Sequence, residues 1–405
     1  MSEQFDPHES LAAMRHEFGE HGGVNMSIEA STTFTVMEAE LMPEIFGGRR
    51  GPEGGCYLYG RHFNPTVYSL AKEMAAIEGT GAAYCTASGM SAIVSTLMQL
   101  CSQGDHIVSS RVIYGGAYAV LKNLLPDKCG ISTTMADITD LDAVESAFTD
   151  RTKVLYIESL GNPTLIIADI PKLAVIAHRH GAKLVVDNTF SPMILTPARH
   201  GADVVVHSMT KFLSGASDII AGAICASKQF IMELMDVNAG TLMLCGPTMD
   251  PKVAFELSLR LPHLGLRMKE HSLRARFFAE KLEGRGLSVI YPGLPSHPQH
   301  ELLQRMSNEG FGAGGVFCLD LETTERAYDF MELLQKDRFG YIAVSLGYFD
   351  TLMSASAGTT SSELSDEDRK AIALSPGLIR FSLGLTGSLE QRWSQFERAL
   401  SGSGL

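Results

Sequence analysis

The chain has 405 residues, enough to bury a large core and to form two domains. Hydrophobic residues make up 45% and charged residues 20% of it, the mix of a soluble globular enzyme. Its net charge of −13 speaks against nucleic acid or an anionic membrane as partner, and leaves room for a small anion in a locally positive pocket. The segment Met1 to Gly23 is polar and lacks the apolar run of a signal peptide. No uncharged apolar stretch is long enough to span a bilayer, so the expected location is the cytoplasm. The seven cysteines are scattered with no C-x-x-C pair, which argues against a disulfide framework and against a metal site.

Residues 1–65 are rich in Gly, polar and aromatic residues with weak periodicity, as in Gly47-Gly48-Arg49-Arg50-Gly51-Pro52. Such a segment makes a poor core by itself, and is expected to lie as an arm on the rest of the protein or on another subunit. Over residues 66–262, helical patterns at Val67–Glu78, Ser91–Leu100, Ala117–Leu125 and Pro171–His180 alternate with short apolar runs. The runs are Ala82–Tyr84, His106–Val108, Val154–Ile157, Leu184–Val186, Val204–Val206 and Ile219-Ile220. Successive apolar residues alternating with helices imply an α/β fold with a mostly parallel sheet covered on both faces. From 263 to 405 the texture changes. A long amphipathic helix, Arg267–Leu282, precedes the runs Val289–Tyr291, Gly315–Asp320 and Leu378–Ser382 and a helix over Glu325–Leu334, which predicts a smaller α+β domain.

Lys211 closes Ser208-Met209-Thr210-Lys211 directly behind one buried run, and Asp187-Asn188-Thr189 ends the run before it. A lysine and an aspartate at the carboxyl ends of two such strands lie where open α/β sheets bind ligands. Pyridoxal 5'-phosphate needs both: the amine forms a Schiff base with the aldehyde, the aspartate keeps the pyridinium nitrogen protonated, and hydroxyls grip the phosphate. Ser88-Gly89-Met90 opens a helix after a strand, either as a phosphate cradle or as an ordinary cap. No G-x-G-x-x-G follows any predicted strand, which disfavours a nicotinamide-dependent oxidoreductase. Tyr114, after the run ending at Val108, reads either as a packing residue or as a ring that stacks on the cofactor and shuttles a proton. Arg380, inside an apolar run, calls for a partner, either an internal carboxylate or a substrate carboxylate held by two parallel hydrogen bonds.

The stretches Tyr59-Gly60-Arg61-His62-Phe63-Asn64-Pro65-Thr66, Ala87-Ser88-Gly89-Met90, Val185-Val186-Asp187-Asn188-Thr189-Phe190, Val206-His207-Ser208-Met209-Thr210-Lys211 and Ser345-Leu346-Gly347 together resemble the Cys/Met-metabolism (trans-sulfuration) family of pyridoxal phosphate enzymes. Ser345–Ser354 and Thr359–Leu364 are similar to its plant-type methionine γ-lyase branch. The resemblance implies an aspartate aminotransferase-like (type I) fold, with 66–262 as the cofactor-binding domain. It implies Lys211 as the Schiff-base lysine, Asp187 as the pyridinium partner and Thr189 near it, and Ser88, Gly89, Met90, Ser208 and Thr210 around the phosphate. It further implies Tyr114 on the ring, Asn162 beside the ring hydroxyl, and Ser345 and Arg380 on the substrate carboxylate. Tyr59 and Arg61 would reach the phosphate of a neighbouring subunit, so that active sites are shared across a dimer within a homotetramer. The implied reaction is α,γ-elimination of a small sulfur amino acid, L-methionine, to methanethiol, ammonia and 2-oxobutanoate. Cystathionine γ-lyase and γ-replacement on an activated homoserine are the alternatives within the family.

Two positions depart from other branches. Gly116 stands where many bacterial methionine γ-lyases carry cysteine, and is expected to leave room there. Val344 stands where cystathionine lyases tend to carry glutamate.

Overall fold

A computed structural model describes residues 5–15, 18–355 and 374–405; the stretch Thr359–Leu364 lies outside the described residues. Seven strands form the large sheet: β1 (Ala82–Thr86), β2 (His106–Ser110), β3 (Ser132–Ala136), β4 (Thr152–Glu158), β5 (Lys183–Asp187), β6 (Val204–Ser208) and β7 (Gly222–Ala226). Their order is β1-β7-β6-β5-β4-β2-β3. From β6 to β3 every pairing is parallel, and β7 runs antiparallel to both its neighbours. The carboxyl ends of β1, β2, β4, β5 and β6 therefore open on one edge of the sheet.

Alternation along the strands divides the core in two, because successive side chains point to opposite faces. Val108, Leu155, Ile157, Leu184, Val186 and Val205 join one buried cluster. Ile107, Val154, Tyr156, Val185, Val204 and Val206 join the other. Both faces are covered, which is why the strands read as continuous apolar runs. The helix Pro65–Glu78 shows how locally the boundaries are set. The Asn64 side chain accepts the Thr66 and Val67 amides at its start, Pro65 occupies the first turn, and Gly79 ends it at φ 62.

The second sheet holds β8 (Ser288–Ile290), β9 (Val316–Asp320), β10 (Tyr341–Ile342), β11 (Leu352–Ala355) and β12 (Leu378–Ser382) in the order β10-β11-β12-β9-β8. Phe317, Leu319, Ile379 and Phe381 pack there against Phe278, Phe330 and Phe396, side chains of the helices Leu264–Glu283, Thr324–Lys336 and Leu389–Gly402.

Several elements differ from the sequence expectation. Ile219-Ile220 is not a strand; the strand begins at Gly222, and Ile220 is exposed. Large apolar side chains marked the wrong residues because β7 must be small at Gly222, where a Cβ would meet the Ser88 carbonyl oxygen at 2.2 Å. The strand β3 is at the sheet edge and half exposed, so its Ser132-Thr133-Thr134 start carries no apolar signal. The segment Ala117–Leu125 is helical but passes through a π-helical turn at Val120–Leu124. Residues 5–64 hold little regular structure among those described, the helices Pro7–Met14 and Leu41–Phe46 being its main elements, and Val24 and Met37 are largely exposed.

Candidate active site

The strand ends of the large sheet meet Ser345 and Arg380 around one cavity of about 240 Å³. Ser88 follows β1 and starts the helix Gly89–Leu100. Its side chain accepts the Ser91 amide while Ser91 Oγ accepts the Ser88 amide, a reciprocal cap. By helix geometry the Gly89 and Met90 amides have no carbonyl of their own helix to bond, and both residues line the cavity. A Cβ on Gly89 would lie 2.7 Å from Ser208 Cβ, so helix start and β6 end approach closely only because residue 89 is glycine. Ser208 donates its amide to Thr189 Oγ1 at 2.8 Å, and the Ala221 amide is donated to Thr210 Oγ1 at 3.0 Å. The Gly89 and Met90 amides and the hydroxyl residues Ser88, Ser208 and Thr210 share this end of the cavity, which suits it to a phosphate.

Asp187 ends β5 and is only 8% exposed. It accepts the Thr189 amide at 2.9 Å. Burial pushes its carboxyl up, against the donors of Thr189 and the nearby charge of His207. A charged carboxylate there is costly, and a protonated ring nitrogen in the cavity would relieve that cost. Lys211 follows β6 and donates its Nζ to Ser345 Oγ at 2.8 Å. Burial, and then the charge of Arg380, lower its amine to about 8, which makes the neutral, nucleophilic form accessible near neutral pH. Phosphate donors, a buried carboxylate and an available amine in one cavity fit pyridoxal phosphate.

The profile of the Cys/Met metabolism PLP-dependent enzymes matches residues 10–400. The chain belongs to that family. Its cofactor is therefore pyridoxal phosphate, and its fold is the mostly parallel α/β fold of pyridoxal phosphate-dependent trans-sulfuration enzymes. Among relatives, it is 57% identical over 396 residues to the methionine γ-lyase of Arabidopsis thaliana, covering 97% of this chain and 90% of that protein. It is 37% identical to the cystathionine γ-lyase of Bacillus subtilis, covering 81% and 85%. A Campylobacter jejuni structure, described as an O-acetylhomoserine (thiol)-lyase with N'-pyridoxyl-lysine-5'-monophosphate, aligns at a TM-score of 0.88 and 27% identity, covering 98% of this chain and all of that one.

In this family member Arg380, 3% exposed, projects from β12. Its Nη1 donates to Asn162 Oδ1 at 2.8 Å and its Nη2 to the Ser345 carbonyl at 3.0 Å. Ser345 adopts φ 97, a left-handed conformation that costs a non-glycine residue. With that backbone its hydroxyl meets Lys211 and its carbonyl meets Arg380. Tyr114 follows β2, lines the cavity and is 43% exposed.

The expectation that Gly116 leaves room is corrected. A Cβ there would come within 2.5 Å of Tyr114 Cε1, so the Tyr114 ring already occupies that space. Tyr59 and Arg61 do not line the chain's own cavity. Arg61 stacks over Tyr59, its Cζ 5.4 Å from the ring centroid, and donates to the Met243 carbonyl at 2.6 Å.

Sequence reading missed Glu158, which lines the cavity and is buried. It ends the run Val154–Ile157 just as Asp187 ends Leu184–Val186, and that parallel was the available signal. Phe190, Leu160, Ile93 and Leu346 complete the apolar wall.

Among the described residues no helix is long and apolar enough to cross a membrane.

Proposed function

We propose that this chain is a carbon–sulfur lyase that splits L-methionine, with one water, into methanethiol, ammonia and 2-oxobutanoate. The single observation that carries methionine as substrate is the 57% identity, along almost the whole chain, to a protein named methionine γ-lyase. The site residues support the chemistry.

When bound, pyridoxal phosphate supplies an aldehyde that links to amines and a ring that accepts the electrons released at the substrate carbon. Ser88, Gly89, Met90, Ser208 and Thr210 would hold its phosphate, and Asp187, steadied by Thr189, its ring nitrogen. Asn162 would lie beside its hydroxyl and Tyr114 against its face. Lys211 would hold it covalently and, when free, would take the Cα proton; an amine lowered to about 8 is matched to that work. Arg380 and Ser345 grip the substrate carboxylate, the guanidinium through paired hydrogen bonds. A proton then leaves Cβ, and the Tyr114 phenol donates one to the departing sulfur as Cγ–S breaks. Val344, exposed and adjacent to the cavity-lining Ser345 though not itself in the wall, would offer apolar surface to the thioether methyl.

The arm 1–65 is read as lying on a neighbouring subunit in a cytoplasmic homotetramer, with Tyr59 and Arg61 completing the partner's phosphate site. Their position outside their own chain's cavity supports this. The test is incubation of purified enzyme with methionine, cysteine, homocysteine and cystathionine, quantifying 2-oxo acid and thiol. Methionine should yield equal amounts of 2-oxobutanoate and methanethiol. Absence of both from methionine, with turnover of another substrate, would refute the assignment.

A further inference from the structure

Glu158 has no part in the chemistry above, yet it is buried at 5% exposure within the cavity wall. It lies in register with Asp187 on the adjacent strand. Both of its oxygens are engaged by backbone donors from different segments. Oε1 accepts the Tyr114 amide at 2.6 Å and Oε2 accepts the Asn162 amide at 2.9 Å. Tyr114 immediately precedes the helix Gly115–Ala119, so the bond at its amide tethers the residue that carries the phenol to β4. Asn162 in turn accepts Arg380 Nη1 through its side chain. One carboxylate thus joins the segment carrying the phenol to the segment anchoring the guanidinium.

We propose that Glu158 is a positioning residue of this site, holding Tyr114 with one oxygen and Asn162 with the other so that phenol and Arg380 keep a common register. The proposal rests on the lyase reading only in giving those two groups the leaving sulfur and the substrate carboxylate. Burial, and then the charge of Asp187, push the Glu158 carboxyl up to about 8, against the two amide donors and the charge of Arg380. A buried carboxyl is costly, and here each of its oxygens satisfies one backbone amide. Glutamine cannot replace it, because either carboxyl oxygen can accept an N–H whether or not the group is protonated. The amide of glutamine offers a single acceptor oxygen, so one of the two N–H groups would face an NH₂.

Three measurements test this. In wild-type holoenzyme, hydrogen exchange resolved to single residues should find the Tyr114 and Asn162 amides protected like those of β4; rapid exchange at both would overturn the proposal whatever the variants do. In Glu158→Gln, at least one of these amides should exchange faster while β4 is unchanged, and kcat/KM for methionine should fall about tenfold to a hundredfold. The third measurement separates positioning from general loosening. L-Norleucine has no leaving group, so its binding, read from the cofactor absorbance, reports the Asn162–Arg380 side. O-Acetyl-L-homoserine loses acetate, which needs no proton, so its kcat should fall less than that for methionine if the Tyr114 side is displaced. Weaker norleucine binding or a methionine-selective loss of kcat supports the proposal. Unchanged norleucine binding together with equal losses on both substrates overturns it. Failure of wild-type enzyme to cleave methionine would count against the lyase reading and leave the exchange result standing.

Discussion

Gly222 lines no part of the cavity, yet its replacement should loosen the cofactor. It pairs with Thr86 on one side and Ser208 on the other, between the two segments that carry the phosphate donors. A Cβ at this position would lie 2.2 Å from the Ser88 carbonyl oxygen and 2.6 Å from its carbon. That carbonyl has little freedom to retreat, since it accepts Thr86 Oγ1 at 2.9 Å, Ser91 Oγ at 2.8 Å and the Ala92 amide at 3.2 Å. Relief must come from moving Ser88, and with it the start of the helix Gly89–Leu100. Overpacking of this kind costs about 1–3 kcal/mol. If the holo form bears that cost by opening the cradle, the dissociation constant for pyridoxal phosphate rises about 5- to 150-fold in Gly222→Ala. Equilibrium dialysis gives the constant directly. Chemical denaturation with and without excess cofactor gives it independently, because ligand binding adds RT ln(1 + [L]/Kd) to stability, and the gap between the two curves should shrink by the same 1–3 kcal/mol, an order-of-magnitude figure. Wild-type affinity in a folded Gly222→Ala would refute the reasoning, and equal destabilisation of the free and loaded forms would place the strain outside the cradle.

Lys211→Ala should abolish the covalent cofactor linkage, the yellow colour and turnover while the far-ultraviolet dichroism is kept; residual linked cofactor would refute the role of Lys211. In cofactor-free wild type, burial and then the charge of Arg380 lower the amine from an ordinary 10.5 to about 8. Between those values the folded chain binds fewer protons than the unfolded one, so stability should rise with pH across that window, the full penalty being present below it. Denaturant melts should show this rise flattened in Lys211→Ala. Mixing Arg61→Ala with Lys211→Ala subunits should restore part of the activity, since some hybrid sites would be intact; demonstrably mixed oligomers without recovery would refute the shared site. Val344→Glu offers an acceptor to the distal ammonium of cystathionine, a charge-assisted bond of about 1.5–3 kcal/mol, or roughly ten- to more than a hundredfold. Competition assays should show the specificity ratio moving from methionine toward cystathionine, and an unmoved ratio would remove Val344 from substrate choice.

Asp187, Thr189, Ser208, Thr210 and Lys211 were legible from sequence because each sits within a few residues of a buried strand's end. The apolar runs before them mark those strands locally, and chain connectivity then sets the loops on one edge of the sheet. The end of the first long helix at Glu78 was legible for the same reason, while its start lies at Pro65, two residues before the expected Val67, where the Asn64 cap sets it. Ser345 was identified only through family resemblance, and Arg380 stood out as a charge inside an apolar run whose partner the sequence left open. Nothing within the stretches around them states that a guanidinium on β12 will meet an amide 218 residues away.

Three matters were decided by tertiary structure alone. Gly116 looked like empty space, but the Tyr114 ring fills it, and where a ring swings depends on the walls around it. Gly222 reads as a weak strand residue, and its need for a bare Cα comes from Ser88, which is 134 positions away (222 − 88) and one strand over. Glu158 reads as a polar end to an apolar run, and its two bonds, to Tyr114 and Asn162, are visible only once three segments converge. Sequence by itself determined the buried strands β1, β2, β4, β5 and β6, the polar residues at their ends and hence the cofactor chemistry, because these depend on burial and capping over a few residues. The distances among the groups were decided by packing between segments far apart in the chain, where a single Cβ or carboxylate oxygen sets the geometry and no local pattern records it.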